Sequence, residues 1–520
     1  MKTRHSTVKV VLITLLVFLL LTWILPAAYF SSEYVEQGRI QMGLFDIFSY
    51  PITAISYFGY IAIFLLVVGG FYGILNKIGA YRNLLDKLVT SFKGKEKLVV
   101  SIIMVLLGVI TSLCGLQLGL VIFFPFIISL ILLMGYDKIV AALTVVGSTM
   151  IGIAGTTFGY SNISVILTTL SIKITANIWF KVAILVLGLA LLIFNTVRYM
   201  SALEKKNKED KKKVSKIKKE DSKATTKEKA TKKSAKESKA TKTVAAKKEE
   251  DVKVVKEEKK NNSDVKLEDF VPEVSNKKQK AWPLVVIFSL IFIIMILSFI
   301  SWTGAFNNSI FEDATKGVTS FKVFGFTLFA KLLGNVNPFG NWTLTELSAI
   351  LFITSLLLMV IYRIKFSDGM QAFITGAKRA LEPAVLVVLI YTGLVIVTYH
   401  PFQLVIYKVL FGFTKGFNII TSTIAAILAS VLNADPLYSF QSVLPYLGSL
   451  VSSKSTYAII SVVYQAVYGI TMLVAPTSVV LMIVLSYLGV SYKEWFKKIW
   501  KLLLELFVLL LIIFTILVLI

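Results

Sequence analysis

The sequence predicts an all-α polytopic membrane protein, with about 11 transmembrane crossings set among re-entrant hairpins and broken helices. Three observations carry this. Of 520 residues, 56% are hydrophobic and 16% charged, with a mean hydropathy of +0.77, which is more apolar surface than a water-soluble domain can hide. The apolar residues fall in runs of about 20, the length an α-helix needs to cross roughly 30 Å of hydrocarbon at about 1.5 Å per residue. The runs also lack the in-and-out alternation of barrel strands.

Taken in order, the first run, 8–30, follows the basic MKTRHSTVK and could pass for a leader peptide. It is too long for one, and LPAAYF leads straight into further spans, so it is expected to be a retained first span. Further runs cover 52–75, 98–113, 117–134, 139–158 and 178–197 in the first half, then 282–302, 344–362, 382–399, 456–475 and 501–520 in the second. Between the halves, 204–280 holds 27 Lys against 16 Asp or Glu, a net +11, in Lys/Ala/Thr/Ser text such as KATTKEKATKKSAKESKATK. Such a segment cannot bury enough apolar area to offset its chain entropy, and it is expected to be disordered or at most a transient helix. The chain thus divides into a first transmembrane half, 1–203, the Lys-rich insert, 204–280, and a second transmembrane half, 281–520.

Lys and Arg cluster in the N-terminus (Lys2, Arg4, Lys9) and in the loops 77–97, 363–379 and 493–501. Placing these and the insert in the cytoplasm, by the positive-inside rule, gives a consistent path through a plasma or inner membrane, with the last helix ending outside. Setting one first-half helix aside, five crossings from each side would form inverted repeats, an arrangement common in carriers. GLVIFFPF at 119–126 echoes GLVIVTYHPF at 393–402, but these strings alone leave duplication open.

Three apolar segments are interrupted rather than ended: GSTMIGIAGTTFGYSN at 147–162, SVLNADPLYSFQS at 430–442 and GITMLVAPTS at 469–478. A broken helix in lipid leaves N–H and C=O groups unpaired, so it survives only where protein or a watery cavity receives them. The freed groups and helix ends are what carriers use to hold carboxylates or cations. The polar residues of these breaks are the candidates for binding: Thr156, Thr157, Ser161 and Asn162 in the first, Asn433, Asp435 and Ser439 in the second, with Gln465 just ahead of the third. The competing reading is close helix packing by Gly, Ser and Thr.

Ionisable groups at membrane depth are costly unless they work or are paired, and only 14 acidic residues lie outside the insert. Asp435, between Ala434 and Pro436, is the leading candidate for a cation or proton site; alternatively it caps the short helix that Pro436 begins. Glu382 reads as a helix-end ion pair, Asp137 as structural and His400 as a hydrogen-bonded structural histidine, with a proton relay conceivable. The single cysteine, Cys114, permits no disulfide framework and reads as a small core residue. No HExxH, GxxxxGK[ST], GxSxG or paired-carboxylate helix face is present, so an enzyme is not expected. Without a nucleotide-binding loop, a sodium or proton gradient becomes the default drive and no other cofactor is implied.

Several strings resemble one family. LTWILPAAYF (21–30), LLVVGGFYGILNKIGA (65–80), the run to MGYDKIVAALTVVG (134–147) and above all MLVAPTSVVLMIVLSYLGVSYKEWFK (472–497) resemble the C4-dicarboxylate anaerobic carrier family, more narrowly its YfcC-like group within the ion transporter superfamily. The resemblance spans both halves and fails over the insert. It implies a secondary carrier with a scaffold, two helical hairpins and unwound helices, moving by an elevator-like displacement. Solutes of such members are dicarboxylates, amino acids, basic ones included, or peptides, and homodimers are common in the superfamily. It carries Pro476, Thr477 and Ser478 over as lining the site beside a hairpin tip. The sequence departs from that pattern where GLQLG, with Gln117, stands for a Glu pair, where NADPLYSFQS stands for a Ser/Gly-rich tip, and where YSN stands for Asn-Pro.

The leading expectation is a secondary active transporter for a small amino acid, dicarboxylate or peptide, coupled to sodium or protons or working by exchange. The alternative is a membrane-anchored platform whose basic insert holds anionic lipid or nucleic acid. Interspersed acidic residues and a near-absence of aromatics make nucleic-acid recognition the weaker of those two.

Overall fold

The computed structural model describes residues 5–231, 270, 272, 279–334, 336–414, 417–451 and 453–520, with backbone alone for 210–231. Most of the 204–280 insert lies outside the described residues, and with it the expectation of disorder there and any surface for lipid or nucleic acid.

The first half begins with α1 (Ser6–Ile24), a hairpin of β1 (Ala28–Phe30) and β2 (Tyr34–Glu36), α2 (Asp46–Lys77) and the amphipathic α3 (Gly79–Ser91). It continues with α4 (Glu96–Cys114), a 3-10 turn (Gly119–Ile122), α5 (Phe124–Leu133), α6 (Lys138–Ala142), a π turn into α7 (Ser148–Ala154), then α8 (Tyr160–Leu170) and α9 (Ile178–Thr231). The second half holds α10 (Trp282–Phe299), three short helices α11 (Trp302–Phe306), α12 (Ile310–Ser320) and α13 (Leu328–Leu333), then α14 (Leu344–Ile361), α15 (Phe366–Arg379) and α16 (Leu381–Tyr399). It closes with α17 (Gln403–Gly412), α18 (Ile419–Leu432), α19 (Pro436–Ser449), α20 (Lys454–Thr471), α21 (Val479–Leu488) and α22 (Tyr492–Leu519).

Among the described residues, eight helices are long and apolar enough to cross a bilayer: α1, α2, α4, α9 as far as Glu209, α10, α14, α16 and α22. Leu12, Ile13 and Leu16 on α1, and Leu504, Val508 and Leu511 on α22, stand exposed on the protein's surface, as side chains facing lipid must. The expected span at 117–134 is instead a turn and the ten-residue α5. Gly115, at φ +71°, ends α4 in the left-handed region, and Pro125 restarts the chain in a new direction.

All three interrupted segments are broken where the sequence places the polar residues. Helix α7 stops at Ala154 and α8 starts at Tyr160; α18 stops at Leu432 and α19 starts at Pro436; α20 stops at Thr471 and α21 starts at Val479. The order of elements repeats as well. A hairpin (α4–α5), a broken span (α6–α7 with α8) and a long helix (α9) in the first half answer to α18–α19, α20 with α21, and α22 in the second.

Two helix sets result. In one, α2 packs against α14, α15 and α16, and its approach to α15 is backbone to backbone. A Cβ on Gly73 would lie 2.2 Å from the Ala372 carbonyl oxygen, and one on Gly69 2.7 Å from that of Gly376, which is the small-residue contact that helices in lipid exploit. In the other set, α4, α7 and α9 pack together, α20 packs against both α18 and α22, and α7 crosses α20. Helix α16 lies against α21, joining the sets.

The remaining sequence readings find their places in this frame. Asp137 caps α6 through Val140 N (3.0 Å) and accepts from Tyr199 Oη (2.6 Å), a structural role. His400 is held between Tyr50 Oη (2.8 Å) and the Ile40 carbonyl (2.6 Å), also structural. Glu382 sits 3.7 Å from His5 at the start of α16, and Cys114 is buried at the end of α4.

Candidate functional site

Breaking a helix at membrane depth frees backbone groups, and each break here has named partners for them. In the first, the Ser112 carbonyl of α4 accepts from the amides of Thr157 (3.1 Å), Phe158 (3.2 Å) and Gly159 (3.0 Å), while Ser112 Oγ donates to the Gly155 carbonyl (2.7 Å). Gly115 and Gly159 touch so closely that a Cβ on Gly159 would stand 2.7 Å from Gly115 N. In the second broken span, Trp495 Nε1 donates to the Leu473 carbonyl (2.9 Å) and Tyr492 Oη to that of Val474. Thr477 Oγ1 donates to the Val431 carbonyl at the end of α18 (2.9 Å). Each broken span is thus tied to the last turn of its own hairpin's first leg, Ser112 on α4 and Val431 on α18. Gln465, within α20, ties the second broken span to the first break, its Nε2 donating to the carbonyls of Thr156 (2.8 Å) and Ala154 (3.2 Å).

Replacing Gln465 by Leu keeps its approximate volume and leaves both carbonyls without that donor. A buried acceptor stripped of its partner costs about 1–3 kcal/mol, so the variant is expected to unfold at a clearly lower temperature in a detergent melt. An unchanged melting temperature would show that water or another group serves those carbonyls.

Between the hairpin tips and the second break lies a small cavity. Gln117 and Leu118 reach it from the first tip, Ala434 and Asp435 from the second, and Met472 and Ser478 from the break. Met150 of α7, Tyr391 of α16 and Tyr468 of α20 complete the wall, with Val479 and Val480 beyond. Asp435 is the one charged residue among the described residues lining it. One of its oxygens caps α19, accepting from Leu437 N (2.8 Å), so the capping role and a place at the cavity coexist in one side chain.

The structure therefore gathers Gln117, Asp435 and Ser478 on one cavity and puts the other candidates around it. Asn162 accepts from Gln117 Nε2 (3.4 Å), one step from the wall. Asn433 Nδ2 donates to Gln403 Oε1 (2.8 Å) and to the Ala429 carbonyl (2.8 Å), fixing the second tip. Thr156 donates back to the Ile153 carbonyl (2.8 Å), Thr157 Oγ1 lies 3.1 Å from Ser112 Oγ, and Ser161 reaches the Gly115 carbonyl (3.4 Å). Ser439 is buried with its hydroxyl unpartnered among the described residues, and Pro476 is half-buried within the second break. Sequence reasoning missed Tyr391, Tyr468, Met150 and Met472, which inside apolar runs look like ordinary core. It also missed Gln403, which a polar residue two places after Pro401 could have flagged.

The sequence profile of the C4-dicarboxylate anaerobic carrier family matches residues 5–246 and again 238–520, together almost the whole chain. An uncharacterized protein of Haemophilus influenzae is 30% identical over 128 residues, a match spanning 25% of this chain and 25% of that relative. The chain thus aligns with about a quarter of that relative's length. The crystal structure of the Alcanivorax borkumensis YdaH transporter overlays 97% of each chain at 14% identity with a TM-score of 0.38, a likeness too loose to carry an argument.

Proposed function

The chain belongs to the C4-dicarboxylate anaerobic carrier family, and from that premise we propose that it is a secondary active transporter for a small organic solute bearing an amine, coupled to a sodium or proton gradient or working by exchange. At the coarser level it is a multi-pass membrane carrier. The observation that supports the finer reading is the meeting of both hairpin tips and the second helix break on one cavity whose described lining includes Asp435 and neither Lys nor Arg.

A dicarboxylate bound there would bring two negative charges to a carboxylate in a low-dielectric setting, a repulsive arrangement unless cations accompany it. An amine on the solute, or a coupling cation, meets Asp435 favourably instead. The N-terminus of α21, which begins just after Ser478, could receive the carboxylate of an amino acid or short peptide. Gln117 and Ser478 supply neutral hydrogen bonds on either side. The N-terminus and insert are taken as cytoplasmic, because the basic loops favour that side. Alternation between the two faces would be carried by displacement of the hairpin-bearing set against the α2–α14–α15–α16 set.

Proteoliposomes offered radiolabelled basic, neutral and acidic amino acids, short peptides and C4 dicarboxylates are expected to accumulate an amine-bearing solute under an inward sodium or proton gradient, or in exchange for solute loaded inside. Preferred accumulation of a dicarboxylate would refute the charge argument. Flux unaffected by either gradient or by internal solute would refute coupling.

A further inference from the structure

The pairing of elements between the halves makes one contact conspicuous by its difference. In the hairpin-bearing set, α19 lies directly along α8, close enough that a Cβ on Gly448 would sit 3.5 Å from Leu170. The counterpart of that pair, in element order, is α5 with α21. These two helices do not close on one another in the same way. They line opposite sides of a cavity, Phe124 and Ile128 from α5 and Ile483 and Tyr487 from α21, with Tyr72 of α2 and Pro383 of α16 forming its far wall.

What reaches into this cavity is Phe270, from the C-terminal part of the Lys-rich segment, which is only 7% exposed. Its ring meets Tyr487 edge-on at 5.4 Å between centroids, Lys138 Nζ stands 5.3 Å from the ring centre, and its carbonyl accepts from Ser129 Oγ (2.6 Å). Those three partners belong to α5, α6 and α21, all in the hairpin-bearing set. The residues that follow hold to α3, which continues from α2 and packs against α5: Arg82 Nη1 donates to the Pro272 carbonyl (3.1 Å) and Ala80 N to Gln279 Oε1 (3.3 Å).

We propose that Phe270 is an internal wedge: the connector between the halves docks its own aromatic between α5 and α21, keeps that side of the hairpin-bearing set from closing as α19 closes on α8, and is pinned in place through the bonds of Pro272 and Gln279 to α3. The connector is then an inhibitory element of the carrier as well as a covalent link. The chemistry fits an aromatic occupant, since the pocket offers an aromatic edge, an ammonium over the ring face and one hydroxyl for the backbone carbonyl. Release of the wedge is the event that would allow α5 to approach α21.

The test reads helix spacing and is independent of any solute. In a full-length Cys114→Ala background, Ile128→Cys and Val484→Cys place one thiol on each side of the cavity, and bifunctional thiol reagents of graded length measure their separation in native membranes. With Phe270 present, only the longer reagents are expected to join the pair. Adding Phe270→Ala should shift efficient crosslinking to the shortest reagent, and Ser129→Ala, which removes the hydroxyl that holds the Phe270 carbonyl while sparing the ring, should shift it part of the way. The same reagent-length profile in all three proteins would overturn the proposal. Should Phe270→Ala fail to accumulate in the membrane, Phe270→Leu replaces it; a smaller side chain should still shorten the spacing, and an unaltered profile there overturns the wedge equally.

Discussion

Asp435→Asn is expected to reduce solute flux about a hundredfold, or to abolish its dependence on the driving ion, while leaving the protein folded. Losing one partner of a buried charge pair costs about 2–5 kcal/mol, and about 3 kcal/mol corresponds to that hundredfold. The substitution separates the two roles that the geometry gives this residue. Asn caps a helix about as well as Asp, so the bond to Leu437 N survives and α19 should start where it does now. What disappears is the negative charge, in a cavity whose described lining has no other charged residue. Initial rates in proteoliposomes, with sodium and proton gradients imposed separately, check the prediction. Wild-type rates and wild-type ion dependence would reduce Asp435 to its cap. Asp435→Ala, which loses cap and charge together, should add a fall in melting temperature that the Asn variant lacks.

Gly469→Val is expected to damage the folded protein severely. A Cβ at this position would lie 2.4 Å from Ala154 N, 2.6 Å from the Met150 carbonyl oxygen and 2.7 Å from Ala154 Cα. All three are backbone atoms of α7, so no side chain can turn aside to make room. The two broken spans would have to separate where Gln465 joins them. Forcing extra carbons into a packed interior costs about 1–3 kcal/mol, and more where only backbone can move. The measurement is the yield of monodisperse protein and its melting temperature in detergent, with Gly317→Ala as the control. Nothing lies within 4 Å of a Cβ at Gly317 on the exposed α12, where Ala in place of Gly favours the helix by up to about 1 kcal/mol. If Gly469→Val melts with the wild type, the crossing of α7 and α20 is looser than its geometry states.

Much of the candidate site was legible in the chain because lipid makes polar interruptions expensive. A Pro or a cluster of Gly, Ser and Asn inside an apolar run has few tolerable positions, and GTTFGYSN, NADP and APTS all fall in real breaks. Asp435 was legible for the same reason, as an acid in a run that should hold none, and its helix-capping alternative was equally readable from Pro436. The span at 117–134 was misread because hydropathy measures how apolar a stretch is and carries no sign of where it reverses. The turn rests on the left-handed Gly115 pressed against Gly159, a contact 44 residues apart in sequence that no local pattern announces.

By itself, then, the sequence determined that the chain lives in lipid, that its helices break in three places, and that one carboxylate stands at a break, since each follows from local composition and the cost of unpaired polar groups in hydrocarbon. The tertiary structure decided which of those polar residues face a common cavity. Thr156, Thr157 and Ser161 turned to backbone carbonyls, while Tyr391 and Tyr468, silent within apolar runs, came to the wall beside Gln117, Asp435 and Ser478. It also decided that Phe270, one aromatic in a Lys-rich connector, is buried between α5 and α21. Whether a side chain satisfies its neighbour's backbone or faces an open space depends on helix crossings hundreds of residues apart in sequence, and the close approach of glycines such as Gly73, Gly376 and Gly469 is what sets those crossings.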